Sequence, residues 1–291
     1  MDIHCITDKR VLLGESPVWS AGDNCVYWID IQGHALLRTE VDKGVTQTWD
    51  LPNAPGMIAL RAAGGLMVAL EDGFYGFDPG TGNLDLLAPF EEARPENRFN
   101  DGKCDVHGRL WVGTMNKTDS TQNSGAFYRV DPDLAQTRIS DDYRIPNGLA
   151  WSPDNTVMIH TDSRANMGYA YDFDPDTGER SGEREFYPYN REKTGSVDGA
   201  AMDSDGGYWA ALYGGGKLVR VLPDGTVDKE IPLPVTQPTM PAFGGNDMKT
   251  LFITTASQRL DKDQLASQPL AGGLLAISVD VPGHPVYAFG G

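Results

Sequence analysis

The stretch NGLAWSPDNTVMIHTD, residues 147–162, opens on a polar residue, runs through a short apolar segment, reverses at Ser-Pro-Asp-Asn and returns through a second apolar segment. Three further stretches repeat that pattern: ESPVWSAGDNCVYWID (15–30), NDGKCDVHGRLWVGTM (100–115) and DGAAMDSDGGYWAALY (198–213). Two weaker copies, MIALRAAGGLMVALE (57–71) and TMPAFGGNDMKTLFITTA (239–256), fill the gaps. The leading residues Glu15, Met57, Asn100, Asn147, Asp198 and Thr239 are 42, 43, 47, 51 and 41 residues apart, which is the period of a four-stranded propeller blade. Each unit continues through two more strand-like runs around a turn, as in GFYGFDPGTGNLDLLA (73–88), KLVRVLPDGTVDKEIPL (217–233) and GLLAISVDVPGHPVYAF (273–289). The Asp-Pro, Pro-Asp and Asp-Gly pairs in these turns favour tight reversals.

The expected fold is therefore all-β: a six-bladed β-propeller of four-stranded blades around a central metal-binding channel. The residues before Glu15 can supply the outermost strand of the last blade, closing the ring and removing its free edge. A β-sandwich also has many short strands, but it gives no reason for six phased copies of one pattern. Helical periodicity is absent apart from a short turn near KDQLASQPL (262–270).

No Ser/Pro/Gly-rich linker or charge run divides the 291 residues, so residues 1–291 are expected to form a single domain. A hydrophobic share of 40% and a charged share of 22% are ordinary for a globular chain with ample core. The net charge of −17 repels phosphate backbones and anionic lipid, so neither nucleic acid nor a membrane is expected as a partner. No obligate protein partner is indicated. Cys5, Cys25 and Cys104 show no CxxC spacing and are too few for a disulfide framework. MDIHCITDKRVLLGESPVW at the N-terminus lacks the basic segment and apolar run of a secretory signal. No stretch approaches the ~20 apolar residues of a membrane span. The expected location is the cytoplasm.

In a propeller the innermost strands line the axis, so equivalent positions at their entrances converge. Glu15, Asn100, Asn147 and Asp198 then bring two carboxylates and two carboxamides to one axial space. Taken singly, each is better explained by a turn, since Asn-Gly, Asn-Asp-Gly and Asp-Gly are turn signals in any β protein. Four at one phase of a repeat favour a site. Like-charged carboxylates destabilise each other when brought together; a divalent cation resolves the conflict, and carboxamide oxygens complete a hard-ligand shell. Histidines 4, 34, 107, 160 and 284 form no HxxxH or HxH pair, and His160 reads as a core histidine. No GxSxG occurs, and GGGK at 214–217 lacks the phosphate-loop spacing.

Taken together, GESPVW, RFNDGKCD with GRLWVGTM, PNGLAWSPD, SVDGAAMDSDGGYWAALY and AFGGNDMKTLFITTA resemble the gluconolactonase, regucalcin (senescence marker protein) and luciferin-regenerating-enzyme family over essentially the whole chain. The run LASQPLAGGLLAISVDVPGHP is most similar to the bacterial sugar lactonases, xylonolactonases included. The resemblance implies metal ligation by Glu15, Asn147 and Asp198, and contacts from Arg98 and Asn100 to substrate hydroxyls. The implied cofactor is one divalent cation, Ca²⁺ first, with Zn²⁺, Mn²⁺, Mg²⁺ and Fe²⁺ as alternatives. Some family members also use an acidic residue from the loop after GTM. Here that loop, NKTDSTQNSG (116–125), has no glutamate to match.

The implied reaction is hydrolysis of a sugar lactone, with the metal polarising the carbonyl and Asp198 as general base. A phosphotriesterase or arylesterase on the same site is the nearest alternative, though the Arg98 guanidinium suits hydroxyl oxygens better than an apolar ester. A calcium-binding regulatory protein is a second. Three protein ligands leave coordination positions open, which favours an enzyme over a buffer. A propeller used as a scaffold without chemistry leaves the clustered carboxylates unexplained.

Overall fold

The computed structural model describes residues 2–291 and folds them as a six-bladed β-propeller of four-stranded antiparallel sheets. Blade 1 holds Gly14–Ser20, Cys25–Asp30, Ala35–Glu40 and Val45–Asp50; blade 2 holds Pro55–Leu60, Leu66–Leu70, Gly73–Phe77 and Leu84–Pro89. Blade 3 holds Asn97–Cys104, Leu110–Asn116, Gly125–Val130 and Gln136–Tyr143; blade 4 holds Pro146–Trp151, Val157–Asp162, Met167–Asp174 and Glu179–Pro188. Blade 5 holds Ser196–Met202, Tyr208–Tyr213, Lys217–Val221 and Val227–Pro232. Blade 6 is assembled from both ends of the chain: Pro238–Gly244, Thr250–Thr255 and Leu274–Ser278, with Ile3–Cys5 as its outermost strand.

Ile3–Cys5 pairs antiparallel with Leu275–Ile277, the closure that the phasing predicts. Each innermost strand packs on the next, and that of blade 6 packs on that of blade 1. The final run VPGHPVYAF (281–289), read as strand-like, does not extend blade 6. Pro282 and Pro285 cannot donate to a ladder. The segment instead crosses the channel end opposite the site, through single bridges of Gly283 to Asp203, Tyr287 to Cys104 and Phe289 to Arg61.

Burial follows position in the blade. The inner strand Pro146–Trp151 is wholly buried, and its apolar run reflects packing on both faces. The outer strand Val45–Asp50 is largely exposed and polar. Between neighbouring sheets lie apolar clusters, for example Phe74, Phe90, Phe99 and Tyr128 between blades 2 and 3.

Two blades share an internal polar clasp with one sequence signature, Asp-x-x-Gly-x-x-Trp. In blade 3, Asp105 Oδ2 accepts from Trp111 Nε1 at 2.9 Å and from Arg109 Nε at 2.6 Å. In blade 5, Asp203 Oδ2 accepts from Trp209 Nε1 at 2.8 Å and from Arg220 Nε at 2.7 Å. Lys262–Ser267 forms the short helix anticipated from the sequence, with a capping box between Asp261 and Gln264. Arg191–Thr194, capped by Asn190, adds a turn of helix that the sequence did not signal. Among the described residues, no helix is long and apolar enough to cross a membrane.

Removing the Asp203 carboxylate leaves the buried indole N–H of Trp209 unpaired and Arg220 with Asp228 as its one remaining carboxylate. Asp203→Ala is therefore expected to cost about 3–5 kcal/mol in urea unfolding, against less than about 1 kcal/mol for Lys217→Ala, which breaks a partly exposed pair with Glu230. Equal losses would show that the clasp has no special weight.

Candidate active site

All six innermost strands carry one extra residue near their channel entrance. Register slips between Glu15 and Val18, Pro55 and Met57, Phe99 and Gly102, Asn147 and Ala150, Val197 and Ala200, and Pro238 and Pro241. Each slip is a β-bulge, which bends the strand and re-aims its side chains. The six leading residues are consequently not at one register. Glu15 and Asn147 are the last paired residues before the bulge, whereas Asn100, Asp198 and Thr239 lie inside it.

The bulge has a backbone cost that the sequence meets locally. The residue after the paired ligand is left-handed in both blades where this can be compared: Ser16 has φ 47° and Gly148 has φ 66°. Ser16 is uncommon there, and its hydroxyl is fixed on Ile58, accepting from the backbone N at 2.9 Å. At Gly148 a Cβ would lie 2.5 Å from the Tyr208 hydroxyl, so glycine is required on both counts. Two carboxylates brace the chain entering these strands. Asp30 accepts from Leu12 N and Leu13 N, each at 3.0 Å, ahead of Glu15. Asp162 accepts from Arg144 N at 2.8 Å and Ile145 N at 3.3 Å, ahead of Asn147.

Glu15, Arg98, Asn100, Asn147 and Asp198 all line one open pocket of about 280 Å³ at this end of the channel, small for a ligand site but wide enough for a monosaccharide. They form a chain of contacts. Arg98 Nη1 donates to Asn100 Oδ1 at 3.0 Å, Asn100 Nδ2 to Asn147 Oδ1 at 3.2 Å, and Asn147 Nδ2 to Asp198 Oδ1 at 2.8 Å. Met57 and Thr239 take no part. Met57 is fully buried among the aromatic side chains between blades 2 and 3, and the Thr239 hydroxyl donates to Gly14 O at 2.5 Å and lies 2.9 Å from Thr254 Oγ1.

The electrostatics of the floor are unfavourable to anions. Desolvation first, and Asp101 second, push the Glu15 carboxyl up to about 8 against a hydrogen bond from Ser16 N. Burial raises Asp198 well above the usual carboxylate range, and Glu15 and Asp101 add to it. Neither carboxylate has an ion-pair partner among the described residues; the nearby Arg98 guanidinium turns Nη1 to Asn100 Oδ1 and Phe99 O. No three acidic, histidine or cysteine side chains gather at one point among the described residues, so a hard cation here must draw on carboxamide oxygen too. Asn147 Oδ1 has a second lone pair beyond the one that Asn100 uses. The donor set fits a divalent cation.

Sequence reasoning missed three contributors. Asp101 occupies the blade 3 bulge and accepts from Leu149 N at 3.1 Å. Lys103 lies below the floor, its Nζ donating to the carbonyls of Leu149 and Ala200, and burial lowers its pKa. Ser163 accepts from Asn147 Nδ2 at 2.8 Å and donates to Val197 O at 2.6 Å, tying two inner strands together. Asp101 and Lys103 were in view within the NDGKCD motif, but only the bulge tells which of adjacent residues faces inward. His160 is a core residue as expected, buried and stacked on Phe127 at 4.1 Å between ring centroids.

Residues 13–257 match the family model described as the SMP-30/Gluconolactonase/LRE-like region. The chain is 39% identical over 290 residues to a 6-deoxy-6-sulfogluconolactonase of Pseudomonas putida, covering 98% of each chain. It is 32% identical to regucalcin of Gallus gallus over 295 residues, covering 99% of this chain and 98% of that one. The solved structure of a calcium-binding protein, regucalcin, of Agrobacterium tumefaciens superposes with a TM-score of 0.93 at 29% identity, covering 98% of this chain and 96% of that one.

Glu15 holds a proton in the folded metal-free protein up to a pH of about 8, while the unfolded chain loses it near the ordinary value of 4.5. The folded state binds the extra proton across that window, so stability falls as pH rises through it. In chelator, Glu15→Gln should flatten the decline of Tm between pH 5 and 8. Ca²⁺ should raise the wild-type Tm more at pH 8 than at pH 5, because the ligand must be deprotonated. Parallel curves for wild type and variant would refute the assignment of Glu15.

Proposed function

The chain belongs to the SMP-30/gluconolactonase/LRE-like family, and we propose that it is a metal-dependent enzyme that hydrolyses a sugar lactone to the corresponding sugar acid. The observation that carries this reading is the pair of desolvated carboxylates, Glu15 and Asp198, facing an open polar pocket without an ion-pair partner. The Pseudomonas relative is named for hydrolysis of an aldonolactone, which supports the same chemistry here.

Glu15, Asn147 and Asp198 would hold one divalent cation, Ca²⁺ first among the candidates, in keeping with the calcium-binding description of the Agrobacterium relative. When bound, the cation acts as a Lewis acid on the lactone carbonyl and stabilises charge developing on its oxygen. Asp198, ionised in that state, takes a proton from the attacking water. The water oxygen bonds to the carbonyl carbon, the ring C–O bond breaks, and the proton passes to the former ring oxygen, which leaves as a hydroxyl of the open-chain acid.

Arg98 orients the sugar with the guanidinium N–H groups that Phe99 O and Asn100 leave free. Both amide hydrogens of Asn100 are already engaged, by Pro146 O at 3.0 Å and by Asn147 Oδ1. Asn100 therefore meets the substrate through Oδ1, as acceptor from a hydroxyl, while keeping Asn147 oriented. An apolar phosphotriester would leave Arg98 and Asn100 unsatisfied, so the polyol reading is preferred to the esterase one. The open pocket beside the ligands likewise favours catalysis over calcium storage.

Asp198→Asn is expected to lower kcat on gluconolactone by about 10²–10⁴-fold at saturating metal, the usual worth of a general base. Arg98→Gln should act mainly on KM, by about tenfold, the worth of one charge-assisted hydrogen bond to the sugar. Full activity of Asp198→Asn with the metal site saturated would overturn the base assignment.

A further inference from the structure

The floor of the pocket is acidic, but its rim is not. Besides Arg98, three more arginines, Arg164, Arg191 and Arg259, line the same pocket. They come from separate connections: Arg164 from the turn between the second and third strands of blade 4, Arg191 from the passage between blades 4 and 5, and Arg259 from the second-to-third-strand connection of blade 6. In a propeller of this strand order, those connections share the end at which the inner strands begin. Three independent loops thus deliver cations to one mouth, in a chain whose net charge is −17.

These arginines are not explained by neutralising protein carboxylates. None of the three makes an ion pair within 4.0 Å among the described residues. The guanidinium that acts on Glu15 and Asp198 is Arg98. Arg164 exerts a minor pull on Asp119, whose carboxylate is held by Thr121 and Gln122.

One guanidinium and two backbones among them are also anchored. Arg164 Nη2 donates to Ser120 Oγ at 2.7 Å, so the 116–125 loop serves here to orient a cation. The backbone of Arg191 donates to Asn166 Oδ1 at 3.0 Å. Arg259 sits at φ 62°, a left-handed conformation that costs energy in any residue with a Cβ and is kept where surrounding structure over-determines it. The Arg164 guanidinium is thus oriented by a side-chain hydrogen bond, while Arg191 and Arg259 are fixed at the backbone; guanidiniums without a protein counter-ion suit the fork-like recognition of an oxyanion.

Resting on the lactonase reading, we infer that the preferred substrate is an anionic sugar lactone, one bearing a carboxylate, sulfonate or phosphate at the end remote from the lactone carbonyl, with Arg164, Arg191 and Arg259 as the specificity determinants that receive it. The acidic floor would bind the metal and the reacting carbonyl, and the basic rim the charged tail. Without the rim, the overall negative field would repel such a substrate.

The test uses the metal-loaded full chain and compares kcat/KM for uncharged gluconolactone with that for lactones carrying a terminal phosphate, sulfonate or carboxylate. We expect at least one anionic lactone to be preferred by about tenfold or more, with added KCl eroding the preference. Arg259→Gln, at the most exposed of the three sites, and the Arg164→Gln/Arg191→Gln pair should each reduce the anionic-to-neutral ratio by about tenfold, the worth of one charged hydrogen bond, mainly through KM. Which anion is favoured identifies the substituent. Equal or better use of the neutral lactone, with ratios unmoved by the substitutions, would overturn the inference while leaving the lactonase intact. If no lactone is hydrolysed, the lactonase reading fails, and the rim is judged by thermal shift with 6-phosphogluconate against gluconate. Protection by the phosphorylated acid alone, abolished by Arg→Gln substitution, supports an anion site; equal protection by both rules it out.

Discussion

One extra residue in each innermost strand is the constraint on which the site depends. In a regular strand successive side chains alternate between faces, and only one residue in two at the channel entrance would reach the axis. The bulge breaks that alternation six times at one end of the barrel of blades. It lets Asn100 and Asp101 both turn towards the centre, and it sets Asp198 beside Asn147 at 2.8 Å although they belong to different blades. At two of the six bulges Ser16 and Gly148 take a left-handed backbone, and Asp30 and Asp162 hold the incoming chain. The apolar wedges between blades then fix the ring into which these entrances open.

That geometry concentrates carboxylates on the half-buried floor of one pocket. Burial raises both Glu15 and Asp198; Asp101 adds to the shift of Glu15, and Glu15 and Asp101 add to that of Asp198. A fold does not keep such an arrangement for stability, since either carboxylate would be happier in solvent. A divalent cation removes the conflict at one stroke. On the proposed reading, the same few residues would supply the metal ligands and the base, and both would be lost when the ligands are protonated. The guanidiniums above them complete a gradient from acidic floor to basic rim.

Much of this was legible in the sequence. The phased copies led by Glu15, Asn100, Asn147 and Asp198 predicted the propeller and their convergence, and the short N-terminal strand predicted its closure. What was hidden is what a bulge hides. Met57 leads its repeat yet lies beyond the bulge and points into packing, and Thr239, at the same bulge position as Asn100 and Asp198, is tied to Gly14 O and Thr254. Asp101 is adjacent to Asn100 and was passed over because a single inserted residue changes which side chain faces the axis. Ser163 and the three rim arginines lie in connections of unequal length, where no period applies; only folding shows that loops from blades 4 and 6 share a mouth. The run 281–289 had the look of strands, but its two prolines bar it from a ladder and it crosses the far end of the channel.

Metal-dependent lactone opening is tested most directly by a pH-indicator assay of gluconolactone with chelator-treated protein, to which Ca²⁺, Zn²⁺, Mn²⁺, Mg²⁺ and Fe²⁺ are returned one at a time. No turnover above the spontaneous rate is expected in chelator, with restoration by at least one of these ions. Undiminished hydrolysis by the metal-free protein would contradict the central role given to the cation.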